Sequence, residues 1–297
     1  MNSTIQQEPT EGFISLPEGK LHYLEWGGNG LQLHFLHANG FCAGTYSPFL
    51  KYLSDEYHIL ASDVRGHGNS IFPRSRRIRN WEIFADDLKR IIEQAMTAPI
   101  IGMGHSLGAV TTYIAAAKHP HHFSGIILLD PVIFSTRILW RIAIMRLLGL
   151  SGKYPLARGA RQRKKIFKDK QSALKRFTAG RGIFKTWSKE FVEAYLQCGL
   201  LVRDSKTALL RCDPELEAQI FESVPINVWK YAKHIQCPVL VIRGELTDTF
   251  FPEAAGRLKK IIPKLEVVSI PNSGHFVPME KPQECARLIA DFIRRNR

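Results

Sequence analysis

The 297-residue chain predicts an α/β fold: a mostly parallel eight-stranded sheet with helices on both faces and an inserted helical cap. Two observations carry that reading. Short apolar runs alternate with helix-period segments as far as residue 130 and again from residue 239, the pattern of parallel strands covered on both sides. The alternation is suspended across 131–230, where helical patterns follow one another. The expected division is therefore a core of 1–130 and 231–297, with 131–230 as the cap.

Taken in order, Gly12–Leu16 and Leu21–Trp26 flank Pro17-Glu18-Gly19-Lys20 and read as a hairpin. Leu31–Leu36 and His58–Ser62 are apolar runs ending in polar, glycine-containing loops. Trp81–Ala95 has apolar residues at helical spacing, Pro99–Met103 is a strand, and Leu107–Lys118 is a helix. Gly125–Leu129 closes the first half of the sheet. Within the cap, Phe134–Leu148, Ala157–Lys168, Ser172–Thr178 and Trp187–Leu200 read as helices, with glycine joints such as Gly149 and Gly180 between them. The second half supplies strand Val239–Arg243, helix Pro252–Ile261, strand Leu265–Ile270 and helix Pro282–Arg294.

Composition narrows the class. Hydrophobic residues make up 45% and charged residues 23%, the balance of an ordinary globular chain. The polar start, Met1–Pro9, lacks the apolar stretch of a signal peptide, and no run approaches the roughly 20 apolar residues needed to cross a bilayer. Five cysteines show no paired spacing, so reduced thiols and a cytoplasmic setting are expected. The net charge of +14 is concentrated: residues 131–230 hold 20 Lys/Arg against 8 Asp/Glu. A solvated basic face is the plain reading. Attraction to an acidic ligand or an anionic membrane comes second, and nucleic acid is disfavoured because no recognition motif accompanies the charge. Oligomeric state is not readable from the sequence.

A parallel sheet gathers its chemistry beyond the carboxyl ends of its strands. Gly104-His105-Ser106-Leu107-Gly108 lies between a strand and a helix, where a tight turn can present a serine hydroxyl beside free helix N–H groups. A serine needs an imidazole to take its proton and a carboxylate to orient that imidazole. His275, beyond the last strand, is the expected base. Asp248 is the first choice of acid, with Asp130 and Glu245 as alternatives. The backbone N–H groups of Leu107 and Phe41 are the expected oxyanion donors. Gly40 permits the Phe41 loop to approach closely, and His37 is expected to hold that loop. Asp63 and Arg65 are expected to pair and, with His67, to organise the turn after the fourth strand. The cap helices carry Ile138, Trp140, Ile142, Leu147, Phe177, Phe184, Trp187, Phe191 and Tyr195, most of them expected as core between cap helices and a subset as the lining of an apolar cavity. No metal or organic cofactor is expected.

The motifs His37-Ala38-Asn39-Gly40-Phe41, Asp63-Val64-Arg65-Gly66-His67-Gly68-Asn69-Ser70 and Gly104–Gly108 together resemble those of the α/β-hydrolase superfamily, in its serine-nucleophile branch with a helical cap. The resemblance runs from about Gly12 to Arg294, with Ala38 standing where glycine is usual. It implies the α/β-hydrolase fold and hydrolysis of a small-molecule carboxylic ester through an acyl-enzyme. Carbon–carbon bond hydrolases, cofactor-free haloperoxidases and catalytically silent relatives resemble the same pattern.

Overall fold

The computed structural model describes residues 8–73, 77–179, 182–204 and 207–297; residues 1–7 of the polar start and the Gly180 joint lie outside them. Strands β1 (Thr10–Leu16) and β2 (Gly19–Trp26) form the hairpin, and β3 (Gln32–Leu36) starts the parallel part. A short helix α1 (Ser47–Leu50) leads to β4 (His58–Ser62). Then come α2 (Glu82–Ala95), β5 (Ile100–His105), α3 (Leu107–Lys118) and β6 (Phe123–Leu129). With β10 (Val239–Gly244) and β11 (Leu265–Ile270) further along the chain, the eight-stranded sheet has the order β1-β2-β4-β3-β5-β6-β10-β11. Every pairing from β4 to β11 is parallel. All six positions of β5 are buried, as a central strand covered on both faces requires.

Between β6 and β10 the chain forms α4 (Thr136–Leu147), α5 (Pro155–Arg161), β7 (Ile166–Phe167), α6 (Lys170–Phe177), α7 (Lys189–Gly199), β8 (Leu200–Asp204), β9 (Thr207–Leu210) and α8 (Pro214–Glu222). This segment is not purely helical. β7, β9 and β8 make a separate three-stranded antiparallel sheet, and the helix expected over Ala157–Lys168 stops at Arg161. The cause is legible in the charges. Continued as helix, Arg161 would lie beside Lys164 and Lys165, three and four residues on, like charges that repel. Instead Arg161 pairs with Glu215, Arg163 with Glu217 and Lys165 with Asp213, all at or near the start of α8. Asp213 also caps α8, accepting the Glu215 N–H at 2.9 Å.

β10 (Val239–Gly244), α9 (Pro252–Ile261), β11 (Leu265–Ile270), α10 (Val277–Glu280) and α11 (Pro282–Arg295) finish the chain. Among the described residues, the inserted segment has no large apolar core to itself. Phe167, Phe191, Tyr195 and Leu196 belong to the same buried cluster as Phe35, Tyr46 and Phe49 of the sheet layer. Insert and sheet therefore bury apolar surface mutually.

Candidate active site

The nucleophile turn is built from close backbone contact. Ser106 follows β5 directly and precedes α3, with φ 55° and ψ −110°, and its N–H donates to the Leu129 carbonyl at 3.0 Å. A Cβ on Gly104 would lie 2.4 Å from the Gly108 carbonyl, and one on Gly108 would lie 2.0 Å from the Leu36 carbonyl oxygen. Both glycines are required on steric grounds, and the second lets the end of β3 lie against the start of α3. Leu107, first residue of α3, has an N–H outside the helical ladder.

The register of the sheet places Asp130 beside Ser106. β5 and β6 are parallel neighbours with His105 opposite Leu129, so the next residues, Ser106 and Asp130, leave the sheet side by side. The Asp130 N–H donates to the Ile242 carbonyl at 2.8 Å, φ is 41°, and the side chain is fully buried. His275 Nε2 lies 2.9 Å from Ser106 Oγ, and its Nδ1 lies 3.3 Å from Asp130 Oδ2. Thr249 Oγ1 stands between them, donating to Asp130 Oδ1 at 3.2 Å and lying 3.0 Å from His275 Nδ1. With its single hydroxyl proton committed to Asp130, Thr249 accepts from the imidazole. His275 therefore carries its proton on Nδ1 and accepts the serine proton at Nε2.

Asp248, the expected acid, is exposed and does not meet His275. Its neighbour Thr249 turns inward instead. The chain turns at Glu245–Leu246 and bends through 248–250, and Thr247 Oγ1 holds Thr249 by accepting its N–H at 3.2 Å and lying 3.0 Å from its hydroxyl. The carboxylate that lies against His275 is that of Asp130, the alternative to Asp248. The signal available in sequence was its position one residue past an apolar run, as for Ser106, whereas Asp248 lies four residues past β10. Thr249 was missed, and nothing in its spacing marks it. Glu245 supports the base loop, its carboxylate accepting the Asn272 N–H at 3.2 Å.

The loop carrying Phe41 is held by neutral, buried histidines. His37 donates from Nδ1 to the Ala38 carbonyl at 2.7 Å and accepts the Val64 N–H at Nε2. His67 Nε2 accepts the Gly40 N–H at 3.1 Å. Burial pushes the His67 imidazole down to about 3 and lowers His37 as well. His105 donates to the His275 carbonyl at 2.8 Å and accepts the Tyr46 hydroxyl at 2.7 Å, while Tyr46 accepts the Ala38 N–H. One hydrogen-bond chain thus joins the base loop to the oxyanion loop. The Phe41 N–H donates to the Ala38 carbonyl at 3.2 Å.

The expected Asp63–Arg65 pair does not form. Arg65 makes a two-pronged bond to Asp87 of α2 at 2.7 and 2.6 Å. Asp63 faces the other way, bonding His22 at 2.7 Å and accepting the N–H groups of Ala43 and Asn69. Burial works to raise the Asp63 carboxyl, but the His22 hydrogen bond and the neighbouring imidazoles hold it below its ordinary value. Both residues lie beyond the end of β4, where the chain turns, and that turn sends them to different partners.

Aromatic residues of the insert close over the site. Phe41 packs on Trp187 at 5.4 Å and Tyr195 at 5.5 Å, and Phe276, next to His275, packs on Trp187 at 5.6 Å. Phe177 and Phe184 extend this cluster. Trp140 and Leu147, expected as cap core, are instead 67% and 87% exposed, because α4 turns only Leu139 fully inward. Arg163, behind Gly40, is held by Glu217 and the Tyr195 hydroxyl.

Comparison with known proteins agrees with this architecture. A family model described as the alpha/beta hydrolase fold matches residues 34–282. The 2-(acetamidomethylene)succinate hydrolase of Mesorhizobium japonicum is 25% identical over 266 residues, covering 90% of this chain and 89% of that protein. The sn-1-specific diacylglycerol lipase ABHD11 of Mus musculus is 23% identical over 239 residues, covering 79% and 71%. Among solved structures, E-2-(acetamidomethylene)succinate hydrolase superposes with a TM-score of 0.77 at 22% identity, covering 96% of this chain and 99% of that one. The thioesterase domain from the curacin biosynthetic pathway gives 0.75 at 19% identity, covering 96% and 100%. Together with the matched span, the turn at Ser106 and the parallel sheet that carries it make this chain a member of the alpha/beta hydrolase fold family.

Proposed function

We propose that the protein is a serine hydrolase that cleaves carboxylic esters with an apolar acyl group through an acyl-enzyme. The observation that carries the reading is the 2.9 Å contact between Ser106 Oγ and His275 Nε2, backed by a buried Asp130. Ser106 attacks the acyl carbonyl while His275 takes its proton. Asp130, with Thr249, stabilises the imidazolium. The N–H groups of Leu107 and Phe41 bind the oxyanion, Phe41 by exchanging its bond to Ala38. His275 then protonates the leaving alcohol, and the reverse sequence with water releases the acid from Ser106.

The aromatic cluster of Phe41, Trp187, Tyr195 and Phe276 favours an apolar acyl group. A second reading comes from the relative named for an acetamidomethylene succinate, an amide bearing two carboxylates. Such a substrate would need a cation at the site, and Arg163 beside Gly40 is already neutralised by Glu217. That favours the ester. Labelling with a serine-reactive fluorophosphonate is expected to mark the parent and spare Ser106→Ala; equal labelling would remove the nucleophile. A graded set of p-nitrophenyl esters then tests the acyl group. Ser106 labelling without ester turnover would move the reading to amide or carbon–carbon cleavage.

A further inference from the structure

Helix α4 presents a face that the fold does not use. Beyond Thr136 at its first turn, its exposed positions are Arg137, Trp140, Arg141, Ile144 and Leu147; these and Leu148 just beyond recur three and four residues apart and so form one stripe. Four of the six are large apolar residues, exposed at 67% (Trp140), 51% (Ile144), 87% (Leu147) and 63% (Leu148). Leu156, at the start of α5, adds a fifth at 62%. The helix is firmly seated on its other side. Leu139 is buried, the Arg146 guanidinium donates to the Glu222 and Val224 carbonyls at 2.8 Å, and the Tyr154 hydroxyl bonds the Ile142 carbonyl. The exposed stripe is therefore a fixed feature, and an apolar face of this kind on a stable helix marks an interaction surface.

Charge identifies the occupant. Residues 131–168 contain ten Lys/Arg and no Asp or Glu. Those at 161, 163 and 165 are neutralised by acids at 213, 215 and 217. Arg137 and Arg141 lie on the stripe itself, and Lys153 and Arg158 are exposed on the turn and helix that follow. A tryptophan and long aliphatics flanked by arginines on one helical face suit the boundary of a lipid bilayer, where rings and chains enter the acyl region and guanidinium groups reach the headgroups. We propose that α4 docks the protein on anionic phospholipid bilayers. The helix begins six residues beyond Asp130, so docking would bring the carboxyl edge of the sheet toward the membrane. The inference concerns binding, and it stands or falls independently of the ester reading.

The test is vesicle cosedimentation of the full-length protein on phosphatidylcholine alone and on phosphatidylcholine with about a quarter phosphatidylserine. Binding to the mixed vesicles is expected to exceed binding to the neutral ones by about tenfold or more at low salt, and to weaken steeply as salt rises. Leu147→Glu with Leu148→Glu should abolish binding while leaving the circular dichroism spectrum and thermal midpoint unchanged. As a check on the unaltered protein, brominated lipid should quench part of its tryptophan emission, and Trp140→Phe should lose that part. Absence of binding to the mixed vesicles at low salt, or equal binding by the double variant, would overturn the proposal. So would a dimer that the double variant dissociates, since a second copy would then cover the stripe.

Discussion

Helices α3 and α4 are both twelve residues long, both rich in aliphatic side chains, and stand in opposite relations to solvent. In α3, ten of the twelve residues are buried; in α4, only Leu139 is. The difference lies in what surrounds them. The α3 helix sits against the central strands β5 and β6, with α2 on its flank, so each of its faces meets apolar surface. The α4 helix lies on the outer side of the insert and meets the molecule along one edge. Apolar composition therefore reports that a surface is to be covered, and the fold decides whether the chain itself covers it.

The contrast between catalytic core and surface loop breaks most sharply at the two aspartates. Asp130→Asn should lower kcat/KM for a p-nitrophenyl ester by about 10⁴-fold, the scale seen when a triad carboxylate loses its charge. Asp248→Asn should stay within about twofold, as for an exposed residue with no role in transition-state binding. Reversal of that order would return the acid to the loop after β10. For the two helices the corresponding measure is stability. Ile114→Ala, fully buried in α3, should cost about 2–5 kcal/mol in denaturant unfolding, and Leu147→Ala in α4 should change it by no more than about 0.5 kcal/mol. A large loss at Leu147 would mean that α4 is covered in solution.

The same contrast explains what could be read from the residues alone. Strand ends are legible because long apolar runs and helical periods locate them, and Ser106, tied to such an end by its motif, lies with its glycines at the turn between β5 and α3. His275 was legible from its loop after the last strand. The acid was ambiguous because periodicity locates loops without saying which side chain in a loop turns inward. Asp248 and Thr249 are adjacent, and only one faces the imidazole. The small sheet of the insert was hidden for a different reason: its strands run two to five residues, too short for an alternating pattern to outweigh helical signals nearby. The Arg65 partner was hidden as well, since Asp87 lies on α2 and only the packing of that helix brings it close.

The buried core has a pH signature that the exposed insert lacks. His34 and His67 are both fully buried, and burial pushes each imidazole from 6.5 to about 3. Between those values the unfolded chain binds a proton on each and the folded chain does not. Their stabilising effect is thus complete above about pH 6.5 and is lost progressively as pH falls toward 3, at up to about 1.4 kcal/mol per pH unit for each histidine. Denaturant unfolding followed from pH 7 to pH 4 should show this slope. His34→Leu should make it shallower by about one proton, and an unchanged slope would place the pH sensitivity elsewhere.

A loss far smaller than that of Asp130→Asn is expected at Thr249, where core and loop meet. Its hydroxyl bridges Asp130 and His275 without touching Ser106, so it acts by holding the imidazole in the tautomer that accepts the serine proton. Thr249→Val keeps the shape and removes the bridge. Asp130 Oδ2 remains 3.3 Å from Nδ1, close enough to retain orientation once the ring settles. A neutral hydrogen bond contributes about 1 kcal/mol, so kcat should fall by roughly fivefold with KM little changed. Thr249→Ser, which keeps the hydroxyl, should restore the rate. A loss as large as that of Asp130→Asn would show that Thr249, and not the direct carboxylate contact, carries the orientation of His275.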